Sequence, residues 1–164
     1  MDRRTGAVVR WRRGRSAPPV ASTVANLNLE QVGRTDGKTG PVLGKASVTG
    51  SGFSSLPLTL TGAGAMTGVE ILDDAGLNDQ YFERSDNAAL AALGVPAHTL
   101  GVLFEYPDYH RTSDHWQKID YANMAGINRM VALGVLMLAN DPATPRWNAA
   151  NPATAPYLKA QKVK

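Results

Sequence analysis

The chain has 164 residues, 43% of them apolar, and no cysteine; this is enough for one domain with a core, and it excludes disulfides, thiolate metal sites and cysteine nucleophiles. Its net charge of +3 is local: six arginines lie among the first fifteen residues, and the remainder carries 11 basic and 13 acidic side chains, a net −2. The longest apolar run, Met130 to Ala139, is far shorter than the roughly 20 residues a membrane-spanning helix needs, so no transmembrane segment is expected.

Residues 1–16 form a basic segment, with Arg3, Arg4, Arg10, Arg12, Arg13 and Arg15 opposed only by Asp2. Clustered arginine neutralises phosphate, so one reading is an arm for nucleic acid or anionic lipid. The other is a disordered charge block outside the folded domain, which spans 17–164. The second reading is adopted, and neither nucleic acid nor membrane is expected as a partner. No apolar run follows the arginines, so they do not read as a secretory signal peptide.

Ala17 to Ala21 reads as extended, because each proline biases its predecessor away from helix. Ser22 to Val32 suits a strand that runs into a turn at Gly33 and leaves Glu30 near the strand exit. Thr35 to Lys45 is turn chemistry, followed by a short strand around Ala46 to Thr49. A helix is predicted over Phe53 to Ala65, weakened by Pro57 and Gly62, and another short strand over Gly68 to Leu72; Asp73 to Asp79 is polar loop. Asn87 to Leu93 predicts a short helix with Ser85 or Asp86 accepting from its first amides and Gly94 as its stop.

Ala97 to Glu105 is a mostly apolar run, as expected of a buried strand, and it delivers Pro107, Asp108, Tyr109 and His110 to its far end. Asp120 is the expected cap of a long helix, Tyr121 to Ala139, with Met124, Ile127, Val131, Val135 and Leu138 on one face that should pack on the sheet. Trp147 to Lys164 reads as an extended tail. Alternating strands and helices predict an α/β layer fold.

Two segments carry the chemistry. NLNLEQVGR holds Glu30, and PDYHRTSDHWQKID, about eighty residues later, holds Tyr109, His110 and Asp114. Carboxylate and imidazole are the ligand types of a catalytic zinc centre. Taken alone, a Glu after a strand is most often a surface residue, and a lone His in a polar loop most often a hydrogen-bonding one.

In this order and spacing, however, the segments resemble the second half of the catalytic domain of the zinc-dependent exopeptidases. These are co-catalytic di-zinc metallopeptidases of the bacterial leucine aminopeptidase kind, with glutamate carboxypeptidase and glutaminyl cyclase among their relatives. Asn28 to Arg34 (NLEQVGR) matches a segment like NLDMVGR, and the resemblance makes Glu30 a metal ligand in a position where many members have Asp. Tyr109, His110, Asp114, Lys118 and Ile119 match a YH…D…KI segment, which makes His110 a second ligand. It also places the Tyr109 hydroxyl at the substrate carbonyl, where a donor stabilises oxyanion charge; the alternative is a packed aromatic at a strand end.

Arg84, Ser85, Asp86 and Asn87, then Gly94, Val95 and Pro96, match an RSDH…GVP motif, with Asn87 in place of the frequent His. Here the resemblance implies that Asp86 supports the site by hydrogen bonds, as carboxylates orient metal-bound groups; the bare alternative is a helix cap.

The implied fold is part of the three-layer zinc-exopeptidase (phosphorylase/hydrolase-like) α/β architecture, with a mixed sheet and a long C-terminal helix. Its implied activity is peptide hydrolysis by metal-activated water. The family's His-x-Asp motif and Glu-Glu pair have no counterpart: the only histidines are His98, His110 and His115, and no Glu-Glu dipeptide occurs. His98 is expected in the core or an interface, and His115 in solvent.

The chain is therefore expected to be the C-terminal portion of such a domain and inactive alone. At most it would hold a weak partial site for zinc, of which the complete domain binds two ions. The alternative is a non-catalytic remnant of the same fold. Missing strands would leave a sheet edge and apolar surface open to self-association. Relatives imply export to the periplasm or outside the cell.

Overall fold

The computed structural model describes residues 20–73 and 79–162 of the chain. The basic segment 1–16, most of the polar loop and the last two residues lie outside the described residues.

Four strands form a mixed sheet in the order β1-β6-β4-β5: β1 is Asn26–Glu30, β4 Lys45–Val48, β5 Glu70–Leu72 and β6 Ala97–Gly101. β1 and β6 are parallel, with Glu30 opposite Gly101. β6 and β4 are antiparallel, and β4 and β5 are parallel. A second, two-stranded ribbon pairs β2 (Asp36–Gly37) with β3 (Gly40–Pro41), so the turn-rich stretch folds back on itself. The α/β fold class expected from the sequence is present.

The parallel β4–β5 pair needs a crossover, and helix α1 (Leu56–Thr67) supplies it. Pro57 does not weaken this helix, because it lies in the first turn where its missing N–H has no helical partner to lose. Gly68 ends it in the left-handed conformation, φ 78°, and its N–H bonds to the Gly64 carbonyl. Helix α2 is Asn87–Ala91, α3 is Tyr121–Asn140 and α4 is Ala155–Gln161.

The main core joins Ala46, Val48 and Leu100 of the sheet to Leu56 and Leu60 of α1 and to Ile127, Met130 and Val131 of α3. Each such aliphatic side chain stabilises the fold by roughly 1.5–3 kcal/mol when fully buried. α3 meets this core chiefly beside α1, at a close crossing where a Cβ on Gly134 would stand 2.8 Å from the Leu60 Cδ2 methyl. That crossing fixes Ile127, Met130, Val131 and Gly134 as the buried face and corrects one expectation: Val135 is 50% exposed. α3 is long and apolar enough to cross a membrane by length and composition, with its buried face committed to α1 and the core. Asp120 caps it as expected, its Oδ1 accepting from the Asn123 N–H at 2.9 Å.

A second cluster packs Phe53, Phe82, Ala91, Ala97, Trp147 and Tyr157. It overturns the extended C-terminal tail: Trp147 bridges Ser54, Pro152–Thr154 forms a 3-10 turn, and α4 lays Tyr157 on Trp147 with ring centroids 4.8 Å apart. Burying two large aromatics outweighs an extended chain in water. Gly94 makes room for this return. Its φ is +80°, a Cβ there would stand 2.4 Å from the Gln161 nitrogen, and its carbonyl accepts the Trp147 indole N–H at 3.1 Å.

His98 is fully buried against Phe82 and Trp147, as a core residue. Three local expectations fail. Val20–Ser22 is a 3-10 turn rather than extended chain. β6 stops at Gly101 instead of continuing to Glu105: its parallel partner β1 ends opposite Gly101. No side chain caps α2.

Candidate active site

β1 alternates faces, so Leu27 and Leu29 turn to the main core while Asn28 and Glu30 share the other face. Asn28 Nδ2 therefore reaches Glu30 Oε1 at 2.8 Å, and the register puts Thr99 of β6 beside Asn28, with Nδ2 to Thr99 Oγ1 at 3.2 Å. Ser85, from the turn before α2, donates its hydroxyl to the same Glu30 Oε1 in a short hydrogen bond. Asn28 also donates to Ser85 Oγ at 2.9 Å, and Thr99 Oγ1 lies 3.0 Å from Ser85 Oγ and 2.9 Å from Asn87 Oδ1. Asn87 is itself fully buried, donating to the Phe82 and Ala97 carbonyls. Asn28 and Ser85 thus both bond Oε1 of Glu30.

Glu30 lines a cleft of about 120 Å³ at the carboxyl ends of β1 and β6, together with Gln31, Thr49, Tyr81, Arg84, Ser85, Thr99, Phe104, Glu105 and Tyr109. Strand exits of this kind are where α/β folds place ligands. The Tyr109 ring stacks on His110, centroids 3.9 Å apart, and His110 is exposed outside the cleft lining. Among the described residues, the non-glycine positions with positive φ are Gln31 (54°) and His110 (58°). One follows Glu30 and the other follows Tyr109, so the backbone strain of the fold collects at the cleft.

Glu105, across the cleft, accepts from Lys38 Nζ at 3.0 Å and the Tyr81 hydroxyl at 3.2 Å. The Lys38 ammonium, with help from Tyr81, holds its carboxyl below the usual range.

Below the cleft the two motifs meet at a buried guanidinium. Arg34 grips Asp36 through Nε at 2.9 Å and Nη2 at 2.5 Å, Asp108 at 2.9 Å and Asp114 at 2.5 Å, and stands 4.3 Å over the Tyr106 ring. Tyr106 donates to Asp114 at 2.6 Å, while Ser113 at 2.6 Å and Lys118 at 2.7 Å donate to Asp108. Hydrogen bonding to Asp36, ahead of Asp108 and Asp114, strengthens the proton hold of Arg34 against its burial. Lys118, then Ser113 and Arg34, hold the Asp108 carboxyl far below its ordinary range; Tyr106 and then Arg34 depress Asp114.

Of the residues singled out from sequence, Glu30 and Tyr109 face one cleft, and His110 adjoins it through the ring stack. Asp86 is exposed and caps nothing; the member of its motif that touches Glu30 is Ser85. Asn28 and Thr99 escaped notice, although the two-residue spacing of Asn28 from Glu30 on one strand carried the signal. The pairing of Arg34 with Asp108 and Asp114 had no local signal.

A zinc centre uses three or four protein ligands. Among the described residues, no three His, Cys, Asp or Glu side chains converge in a group that could hold a metal ion. Glu30 and His110 therefore do not complete such a centre.

The mixed α/β sheet thus brings Glu30, at the exit of β1, and Tyr109, from the loop after β6, to one cleft. The model of peptidase family M28 matches residues 9–135, most of the chain, and the chain belongs to this family of metallopeptidases, which are generally zinc-dependent. No curated protein and no solved structure matches the chain.

Proposed function

We propose that the chain supplies one wall of the catalytic centre of a leucine aminopeptidase-like M28 hydrolase with the zinc-exopeptidase fold. The observation that carries this reading is the common cleft of Glu30 and Tyr109, which come from the two distant motifs. In this reading a peptide carbonyl enters the cleft and takes a hydrogen bond from the Tyr109 hydroxyl, which strengthens as negative charge develops on the oxygen. Glu30, steadied through Oε1 by Ser85 and Asn28, keeps Oε2 for a ligand.

The chain does not hydrolyse peptides alone in this reading. Hydrolysis needs a base within about 2.6–3.2 Å of the attacking water, with a pKa near the working pH. Glu105 lines the cleft but is engaged by Lys38 and Tyr81, which move its carboxyl further from neutrality, and Glu30 has Oε1 bonded to Ser85 and Asn28 while Oε2 is assigned to the ligand.

The expected result is no chelator-sensitive cleavage of an aminoacyl anilide by the purified 164-residue chain with added zinc. Calorimetric titration is expected to detect weak zinc binding that Glu30→Gln or His110→Ala abolishes. Turnover would overturn the inactivity. Absent zinc binding would favour a second reading, a non-catalytic module of the same fold, which the lack of a three-ligand cluster among the described residues supports.

β1 is one edge of the sheet, and Leu58, Met66, Val135 and Leu136 are exposed. Self-association through the β1 edge belongs to the same proposal. A strictly monomeric mass by light scattering across a concentration series would remove it.

A further inference from the structure

The segment between β6 and α3, residues 102–120, carries Tyr109 and His110 yet has little regular structure beyond the 3-10 turn Trp116–Lys118. Its apolar anchors stand at its two ends. Leu103 packs on the main core, and Ile119 reaches Gly33, where an added Cβ would be 3.0 Å from Ile119 Cγ2. From Glu105 to Lys118 no residue is buried. Burial in the core therefore does not determine where the Tyr109–His110 stack stands; Tyr109 meets the edge of Tyr106, 5.6 Å between centroids, and Tyr106 itself lies against Arg34.

Polar bonds do. Asp108 directly precedes Tyr109, Asp114 follows His110 by four residues, and both carboxylates close on the Arg34 guanidinium. Arg34 lies four residues beyond Glu30, on the turn that opens with the left-handed Gln31, and the neighbouring Gly33 carbonyl accepts the Asp120 N–H at 2.9 Å. One planar fork thus ties the exit of β1 to both flanks of the stack.

We infer that Arg34 is a positioning residue: its fork sets the place of Tyr109 and His110 relative to Glu30. The functional meaning of that placement rests on the cleft reading above. Without Arg34, Asp36, Asp108 and Asp114 would face one another with Lys118 as the remaining cation bonded within the cluster, and like charges at such range repel. Lysine does not substitute. It offers a compact point charge, not a planar fork with five donors and a face that stacks on Tyr106.

The test is NMR on the full chain without metal or substrate, comparing Arg34→Gln, Arg34→Lys and Asp114→Asn with the parent. In the parent, the stacked Tyr109 ring is expected to shift the His110 ring protons upfield. Both Arg34 variants are expected to lose that displacement and the backbone order of 105–118, while the Leu60, Val48 and Ile127 methyl signals of the main core stay in place. Asp114→Asn, which weakens one arm, is expected to lose part of it.

Parent-like His110 signals and loop order in Arg34→Gln or Arg34→Lys would overturn the inference. So would full rescue by lysine. If Arg34→Gln fails to fold, Asp114→Asn decides, and an unmoved His110 signal there overturns it. Because no zinc enters this measurement, a negative zinc titration counts against the proposed function alone.

Discussion

The aromatic cluster around Phe82 and the polar clasp around Arg34 both tie together distant parts of the chain, by opposite physical means. Phe82 gathers Phe53 at 4.8 Å, Tyr157 at 5.5 Å, His98 at 5.6 Å and Trp147 at 6.3 Å between ring centroids. Area removed from water drives this contact, and it tolerates a range of ring angles. Arg34 gathers three carboxylates through directional, charge-assisted bonds that have one geometry. Burial secures the body of the domain, and directional bonds set the aim of the loop beside the cleft.

The strongest way to break this contrast is Phe82→Ala. It should cost about 3–5 kcal/mol, read as a lower midpoint in urea, because it opens a cavity where five chain segments meet. If the clasp is independent, the Tyr109–His110 ring-current signal survives in the fraction that stays folded. Loss of that signal under native conditions would show that the two regions are one unit.

A comparable effect comes from acid at the one histidine in the aromatic cluster. His98 Nδ1 donates to the Thr49 carbonyl at 2.8 Å, so Nε2 is unprotonated and accepts the Ser54 hydroxyl at 2.6 Å. Burial pushes its pKa down from 6.5 to about 4. Below pH 6.5 the unfolded chain takes up a proton here that the folded chain refuses until about pH 4. Stability present above pH 6.5 is thus lost as the pH falls to 4, on the order of 3 kcal/mol in all. Urea midpoints of His98→Gln measured against the parent from pH 7.5 to 4 should show a flatter dependence; parallel curves would refute it.

The smallest effect is expected at Asp120, which joins the polar segment to α3. Asp120→Ala removes the bond to the Asn123 N–H and should cost about 1 kcal/mol by thermal melting. The aromatic cluster should be indifferent to it, and near-UV circular dichroism checks that.

Much of the fold was legible along the chain. The apolar spacing and Asp120 marked α3 to within a residue of its end, and the exit of β1 at Glu30 followed from the turn at Gly33. The C-terminal region was misread because Trp147 and Tyr157 stand among Pro, Ala and Asn without any period, and only their burial against Phe82 makes that stretch structured. The apolar run beyond Gly101 does not extend β6, because strand length depends on neighbours as well as composition, and the parallel partner ends at Glu30. At the site, Glu30 and Tyr109 could be nominated from motifs, while Ser85, one of two candidate caps of α2 with Asp86, instead bonds Glu30.

By itself the sequence determined most of the elements: helix and strand periods, the cap at Asp120, the stop at Gly94, and the two segments that resemble the zinc exopeptidases. Those features depend on residues a few positions apart, which the local chain geometry already brings together. Only the tertiary structure decided that Arg34 would hold Asp114 from 80 positions away and that Ser85, 55 positions from Glu30, would occupy its Oε1. Hydrogen bonds demand alignment within tenths of an ångström, and the strand register and packing set that alignment, with no trace in local pattern.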